Sequence, residues 1–238
     1  KIALASLRAH KLRTFLTLLG VIFGVMTVVA VAAVIEGFFR YIDRTVTADL
    51  GANTVILDKY GMITSFEEFI NANRRNKDIT LADADFLRER MTLAQSVGAQ
   101  GFSSAEIRSP REKMTNVTVK GNTPNMANID STQPEFGRYI NETDNEHRRS
   151  VALIGAEVAD KLFGAREVVG REIKIDGLPF EVVGVAKEQG SFFGQSRDDF
   201  VIIPLSTHQK VFGSRQSLTV SVRGRDGARL EDVQDQVK

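Results

Sequence analysis

Cysteine and tryptophan are both absent from the 238 residues. Without cysteine there is no disulfide framework, no thiolate metal site and no cysteine nucleophile. Without tryptophan, any membrane boundary must do without the usual tryptophan belt. No GxxxxGK[ST] loop occurs, so the chain does not cradle a nucleotide by that route. The GxSxG elbow of hydrolases and the HExxH pair of zinc proteases are missing too. Acidic residues are missing from positions 1–35, where Lys1, Arg8, Lys11 and Arg13 are the charged groups. Beyond Ile35 the chain carries 27 basic against 30 acidic side chains, hidden beneath an overall formal charge of +1. A mildly acidic body argues against nucleic acid as a partner, which needs a basic face. Nothing calls for a cofactor or a catalytic residue.

What is present first is an apolar run. Phe15 to Ile35 is 21 residues without a charge, FLTLLGVIFGVMTVVAVAAVI. A helix of that length spans the roughly 30 Å hydrocarbon layer. Its polar members, Thr17 and Thr27, can bond back to helix carbonyls. The basic residues all precede it, so the positive-inside rule puts residues 1–14 in the cytoplasm and the chain after Ile35 outside. A cleaved signal peptide competes with this reading, because Ala30-Val31-Ala32 fits a small-x-small cleavage site. Against it, the run outlasts the usual apolar region of about 7–15 residues. Residues 1–14 also form a short basic amphipathic stretch. Arg8, Lys11 and Arg13 could rest on an anionic inner lipid surface, or act only as a topology signal.

Gly20 and Gly24 are spaced as GxxxG, which lets two helices approach closely in lipid. The plainer alternative is composition, since glycine is common in membrane helices. Past the run, Ile35, Phe39, Ile42 and Val46 keep helical spacing while Arg40, Asp43 and Arg44 fall off that stripe. A stalk over 36–46 is expected, with an apolar stripe that needs a partner.

Asp49 to Asn53 reads as a stop before a short strand, Thr54 to Asp58. Residues 59–79 are polar, with a helix expected from Ser65, where SFEE has capping-box form. Thr80 caps a second helix to about Met91, with Ala84, Leu87 and Met91 on its buried face. Strands are expected at Ser96–Ser103 and Lys113–Lys120, the second half-buried and alternating, in a β–α–β unit. After a turn-rich stretch over 121–150 come a buried strand (Val151–Ile154), a helix (Glu157–Phe163) and a hairpin. In that hairpin REIKI and FEVVGVA flank Asp176-Gly177, a pair suited to positive φ. Gln189–Asp199 reads as a flexible loop, Phe200–Pro204 as a strand, Ser206–Phe212 as a helix and Ser217–Val222 as a strand. A last helix begins near Arg229. The fold class is α+β.

Few side chains suggest chemistry. His10, His147 and His208 are far apart, with His10 on the cytoplasmic side, so no three-histidine metal site is expected; each reads as a surface residue. Glu142, Asp144 and Glu146 would suit a weak cation site, but a solvated loop is the simpler reading. Ser191, Phe192 and Phe193 place two aromatics on a loop, which would mark a contact site if exposed. Two N-x-T patterns, at Asn116 and Asn141, are too short to carry weight.

The order of these segments resembles a known family. LRAHKLRTFLTLLGVIFGV (Leu7–Val25) is similar to the opening of MacB/FtsX-type ABC-transporter permeases. DLGANTVIL, VKGNTPNM, FGRYI, VALIGAEVADKLFG, VGREIKIDGLPFEVVGVA and FVIIPLST then follow in that family's order. The resemblance covers nearly the whole chain and is weakest over 59–79. It implies a bacterial inner-membrane permease, non-catalytic itself, which serves export or efflux. It further implies a cytoplasmic ABC ATPase, a second permease copy, membrane lipid and a periplasmic adaptor protein as partners. Motion would pass mechanically to the outer domain. That domain would have two lobes: a β–α–β, porter-like lobe over 47–120 and 200–238, and a mostly-β lobe inserted at 121–199. Three further membrane helices of such permeases are not in this sequence, so the chain is expected to be a fragment. The alternatives from other classes are a membrane-anchored extracytoplasmic sensor or binding module, and a secreted hydrolase.

Topology gives the first test. A reporter fused after Lys238 should be active outside the cytoplasm, and mass spectrometry of the mature chain should still find residues 1–32. A mature N-terminus at Ala33 would establish the cleaved-signal reading instead.

Overall fold

The computed structural model describes residues 11–50, 53–61, 66–164, 167–192, 194–225 and 227–237. The chain divides into two units, residues 1–48 and 49–238. The first is built on one helix, α1 (Lys11–Leu50), 40 residues without a break. At 1.5 Å per residue it is about 60 Å long.

The second unit, expected on the outer side of the membrane and called the outer unit below, begins with β1 (Thr54–Leu57), followed by α2 (Phe66–Arg75) and α3 (Leu81–Arg90). Thr80 caps α3 as expected: the Asp83 carboxylate accepts from the Thr80 N–H at 2.8 Å and from its hydroxyl at 2.7 Å. Next come β2 (Ala94–Arg108), β3 (Lys113–Asn122), a 3₁₀ turn (Pro124–Asn128), β4 (Pro134–Gly137) and α4 (Glu142–Glu146). They are followed by β5 (Val151–Ile154), α5 (Ala156–Phe163), β6 (Glu172–Ile175) and β7 (Leu178–Ala186). Two short strands, β8 (Ser191–Phe192) and β9 (Gln195–Ser196), pair with each other. Then β10 (Phe200–Pro204), α6 (Leu205–Phe212), β11 (Thr219–Gly224) and α7 (Leu230–Val237) complete the chain.

Nine strands form one mixed sheet in which β11 lies between β1 and β2, both antiparallel to it. The remaining pairings close on themselves. β2 pairs β3, β3 pairs β10, β10 pairs β5, β5 pairs β7, β7 pairs β6, and β6 returns to β2 through Ile107–Ile175. Six strands thus make a ring, which removes most of the edges an open sheet would expose.

Alternation dictates what fills it. Ala105 and Ile107, Val117 and Val119, Ile173 and Ile175, and Val201 and Ile203 all point inward, with Phe180 among them. Val158, Ala159 and Leu162 of α5 join the same cluster. Val151, Leu153, Phe200 and Ile202, on the other face of β5 and β10, pack with Ile140 and Val183. Burial on both faces is why VALI and FVIIP read as continuous apolar runs. A separate core lies where Val97, Ala99, Val220 and Val222 meet Ala84 of α3, Leu205 of α6 and Val233 of α7.

The Asp176-Gly177 turn has φ of 47° and 84°, the two positive values that a two-residue hairpin of this kind requires. Elsewhere the sequence reading needs correction. β2 runs to Arg108, beyond the Ser103 expected, because the short alternation Ala105-Glu106-Ile107-Arg108 belongs to the ring. The supposed loop at 189–199 contains β8 and β9, and Asp198 ties down its start by accepting from the N–H groups of Gln189 at 2.9 Å and Gly190 at 2.8 Å. The side chains of Phe192 and Phe193 lie outside the described residues.

Two polar residues expected at the surface are buried. Asp144 is fully buried within α4. It accepts from Arg138 at 2.5 and 3.2 Å, from Arg149 at 3.4 Å and from the Asn141 N–H at 3.1 Å. Burial pushes its pKa up, but the Arg138 hydrogen bonds, the Asn141 N–H and the two guanidinium charges outweigh that and hold the carboxyl below its usual range. His208 of α6 is 2% exposed. It fills the space left by the cross-strand pair Gly101 and Gly121. Burial lowers its pKa to about 4, and among the described residues its Nε2 has no hydrogen-bond partner. His147 is exposed, as expected; His10 lies outside the described residues.

A Cβ at Gly121 would sit 2.3 Å from the His208 Cβ. Gly121→Ala should therefore cost about 1–3 kcal/mol, read as a lowered urea midpoint. An unchanged midpoint would show that α6 is free to shift. The unfolded histidine takes its proton near pH 6.5, whereas folded His208 resists until about pH 4. Proton binding thus favours unfolding, and stability should fall as pH drops through that window. His208→Leu should remove this slope.

Candidate functional site

Among the described residues no group of side chains is arranged for catalysis, so the candidate site is the apolar helix together with the second unit. In α1, Phe15–Phe38 is 24 residues long with mean hydropathy 2.8 and none of its window buried. At 1.5 Å per residue it measures about 36 Å, enough for the roughly 30 Å hydrocarbon layer. A helix apolar on every side is stable in lipid or deep inside a protein. Here Phe15, Val28 and Val34 stand 60%, 69% and 71% exposed. The Thr27 hydroxyl donates to the Phe23 carbonyl at 2.8 Å, satisfying its polarity within the helix.

Gly20 and Gly24 sit one turn apart, and a Cβ built at either would meet nothing within 4 Å. The surface they form is vacant in the single chain. Ile35 is 50% exposed. Phe39, Ile42 and Val46 lie on the unbroken helical backbone, as do Lys11 and Arg13; the side chains of these five lie outside the described residues. Arg8 lies outside them altogether. Lys11, Arg13, Gly20, Gly24, Ile35, Phe39, Ile42 and Val46 therefore share one helix.

Glu142, Asp144 and Glu146 do not make a cation site, because Asp144 is spent on two arginines and a helix cap. Among the described residues, no group of three His, Cys, Asp or Glu side chains could hold a metal ion. Sequence reasoning missed His208 and Asp144. The glycines at 101 and 121 were a signal for the first. For the second, Asn141 three residues before Asp144 has the form of a helix cap.

An apolar helix long enough to cross a membrane, followed by a mixed helix-and-sheet unit, fits a class, the membrane-anchored proteins with a folded domain outside the bilayer. The chain belongs to the family of the MacB-like periplasmic core domain, whose model matches residues 14–238. It is 30% identical over 234 residues to the macrolide export ATP-binding/permease protein MacB of Bdellovibrio bacteriovorus, covering 98% of this chain and 35% of that protein. It is 29% identical over 231 residues to the pyoverdine export ATP-binding/permease protein PvdT of Pseudomonas fluorescens, covering 96% of this chain and 34% of the relative. The chain thus spans about a third of the length of the curated relatives it matches. Among solved structures, the periplasmic region of MacB from Actinobacillus actinomycetemcomitans superposes with a TM-score of 0.64 at 17% identity, covering 81% of this chain and 83% of that one. The extracellular domain of the noncanonic ABC-type transporter YknZ from Gram-positive bacteria gives 0.61 at 22% identity, covering 78% and 90%. The resemblance seen in the sequence and the α+β class are both borne out by these matches.

Proposed function

We propose that this chain is the first membrane helix and outer domain of an ABC-transporter permease for export. In this reading α1 carries ATP-driven motion from a cytoplasmic ATPase to the outer unit. The observation that carries it is continuity: α1 has no proline, no break and no cap between Lys11 and Leu50. An unbroken helix is stiff, so displacement at one end reaches the other as rigid-body motion. The family match and the paired export and ATP-binding names of its relatives support the same reading.

The partners follow from the surfaces. Residues 1–14 lie in the cytoplasm, where Arg8, Lys11 and Arg13 meet the ATPase or the anionic inner face of a bacterial inner membrane. Gly20 and Gly24 take a second permease copy or another membrane helix. The outer unit docks a periplasmic adaptor; in this reading it consists of a porter-like lobe (47–120 with 200–238) and an inserted lobe (121–199), joined through the β10–β5 and β2–β6 pairings. The chain itself is not catalytic; ATP turnover belongs to a partner subunit or domain.

The test uses the intact permease with its ATPase. Replacing Gly20 and Gly24 by leucine should impair transport while leaving the outer unit folded, because bulk at these positions separates packed helices. A Gly-Ser insertion between Gly37 and Arg40 should uncouple ATP hydrolysis from transport, lowering transport at least tenfold with hydrolysis retained. Normal transport by the inserted variant would reduce α1 to a tether and leave a membrane-anchored sensor as the better reading.

A further inference from the structure

One face of β1, β11, β2 and β3 packs on helices; the opposite face carries a cavity of about 390 Å³. That volume lies within the usual range for small-molecule sites. Its apolar wall includes Ile56 and Phe102, which are 42% and 48% exposed, and Met126. Large apolar side chains on a sheet face otherwise lined by threonine, serine and glutamine suit a ligand with an apolar body. The charged groups in the wall are Lys120, Arg197 and Asp130.

Lys120 is the unusual member. It is half-buried, with its ammonium 4.5 Å from the centre of the Phe200 ring. Burial lowers its pKa and nearby Asp130 opposes the shift, so the group is a cation withdrawn from water without a matched partner. Among the described residues it makes no hydrogen bond and no ion pair. The Asp130 carboxylate keeps its charge while one oxygen accepts from the Thr132 N–H at 3.0 Å and hydroxyl at 2.8 Å, and it forms no salt bridge with Lys120 among the described residues. Arg197 donates to the Gln189 side chain at 3.5 Å. The Thr54 hydroxyl, also in the wall, is buried without a partner among the described residues.

We propose that this cavity binds an amphipathic organic monoanion, with its carboxylate or equivalent acid group at Lys120 and its apolar body against Phe102, Ile56 and Met126. The anion supplies the charge that Lys120 lacks, at a place where low water content strengthens the pair. The apolar body covers surface that water now wets. The inference does not depend on α1 transmitting motion; it concerns the outer unit alone.

The experiment is isothermal titration of the full chain in lipid nanodiscs with sodium 4-phenylbutyrate, using empty nanodiscs as the blank. Saturable binding is expected with a dissociation constant of about 1 mM or tighter, in keeping with the small size of the probe. The uncharged amide of the same acid should bind at least tenfold more weakly. Lys120→Met, nearly equal in shape, should weaken the acid at least tenfold, and Lys120→Arg should keep it within about threefold. Circular dichroism melting verifies that each variant is folded, and the comparison of acid with amide on the unaltered chain stands even where a variant is not. The proposal is overturned by absence of saturable binding, by equal affinity for acid and amide, or by a folded Lys120→Met variant that binds as well as the parent.

Discussion

Fifteen consecutive residues, Ala94 to Arg108, form a strand that hydrogen-bonds to three others. Along one edge β2 pairs β11 with its first half and β6 with its last two residues; along the other it pairs β3. Its inward side chains serve two cores in turn, Val97 and Ala99 under the helices, then Ala105 and Ile107 inside the ring. A strand of typical length, about five or six residues, could reach only one. The register of everything else is set from here, since a one-residue slip would turn each apolar side chain of β2 to the wrong face.

Around this frame the polar groups that are buried act as pins. Asp144 fixes the α4 turn through Arg138, Arg149 and Asn141. Asp198 holds the start of the 189–199 segment. Asp144 is buried while Arg138 and Arg149 are partly exposed, so removing the arginines leaves an uncompensated buried carboxylate and destabilises this turn. His208 is different, since packing against Gly101 and Gly121 holds it and no partner satisfies its Nε2 among the described residues.

Local signals were read well from the sequence. The apolar run, the Thr80 cap, the Asp176-Gly177 hairpin and the doubly buried strands VALI and FVIIP each depend on residues within a few positions of one another. Long-range closure was not legible: nothing near Ile107 announces that it will face Ile175. The burial of His208 is set by two glycines far away in sequence, and that of Asp144 by arginines whose direction only the fold decides. For the same reason the alternation over Lys113–Lys120 does not reveal the setting of Lys120. Its setting depends on Phe200, eighty positions on, and on Asp130.

The ring also dictates an order of assembly. β10 fits between β3 and β5, parallel to the first and antiparallel to the second. Until the ribosome has delivered Phe200–Pro204, the growing chain holds two unsatisfied strand edges with apolar faces. Such edges are templates for pairing with other chains, and contacts between residues far apart in sequence form slowly. The nascent outer unit therefore passes through a window in which it is complete enough to aggregate and too short to close. An arrest between Ile154 and Phe200 would prolong that window; rapid delivery of the next fifty residues would end it.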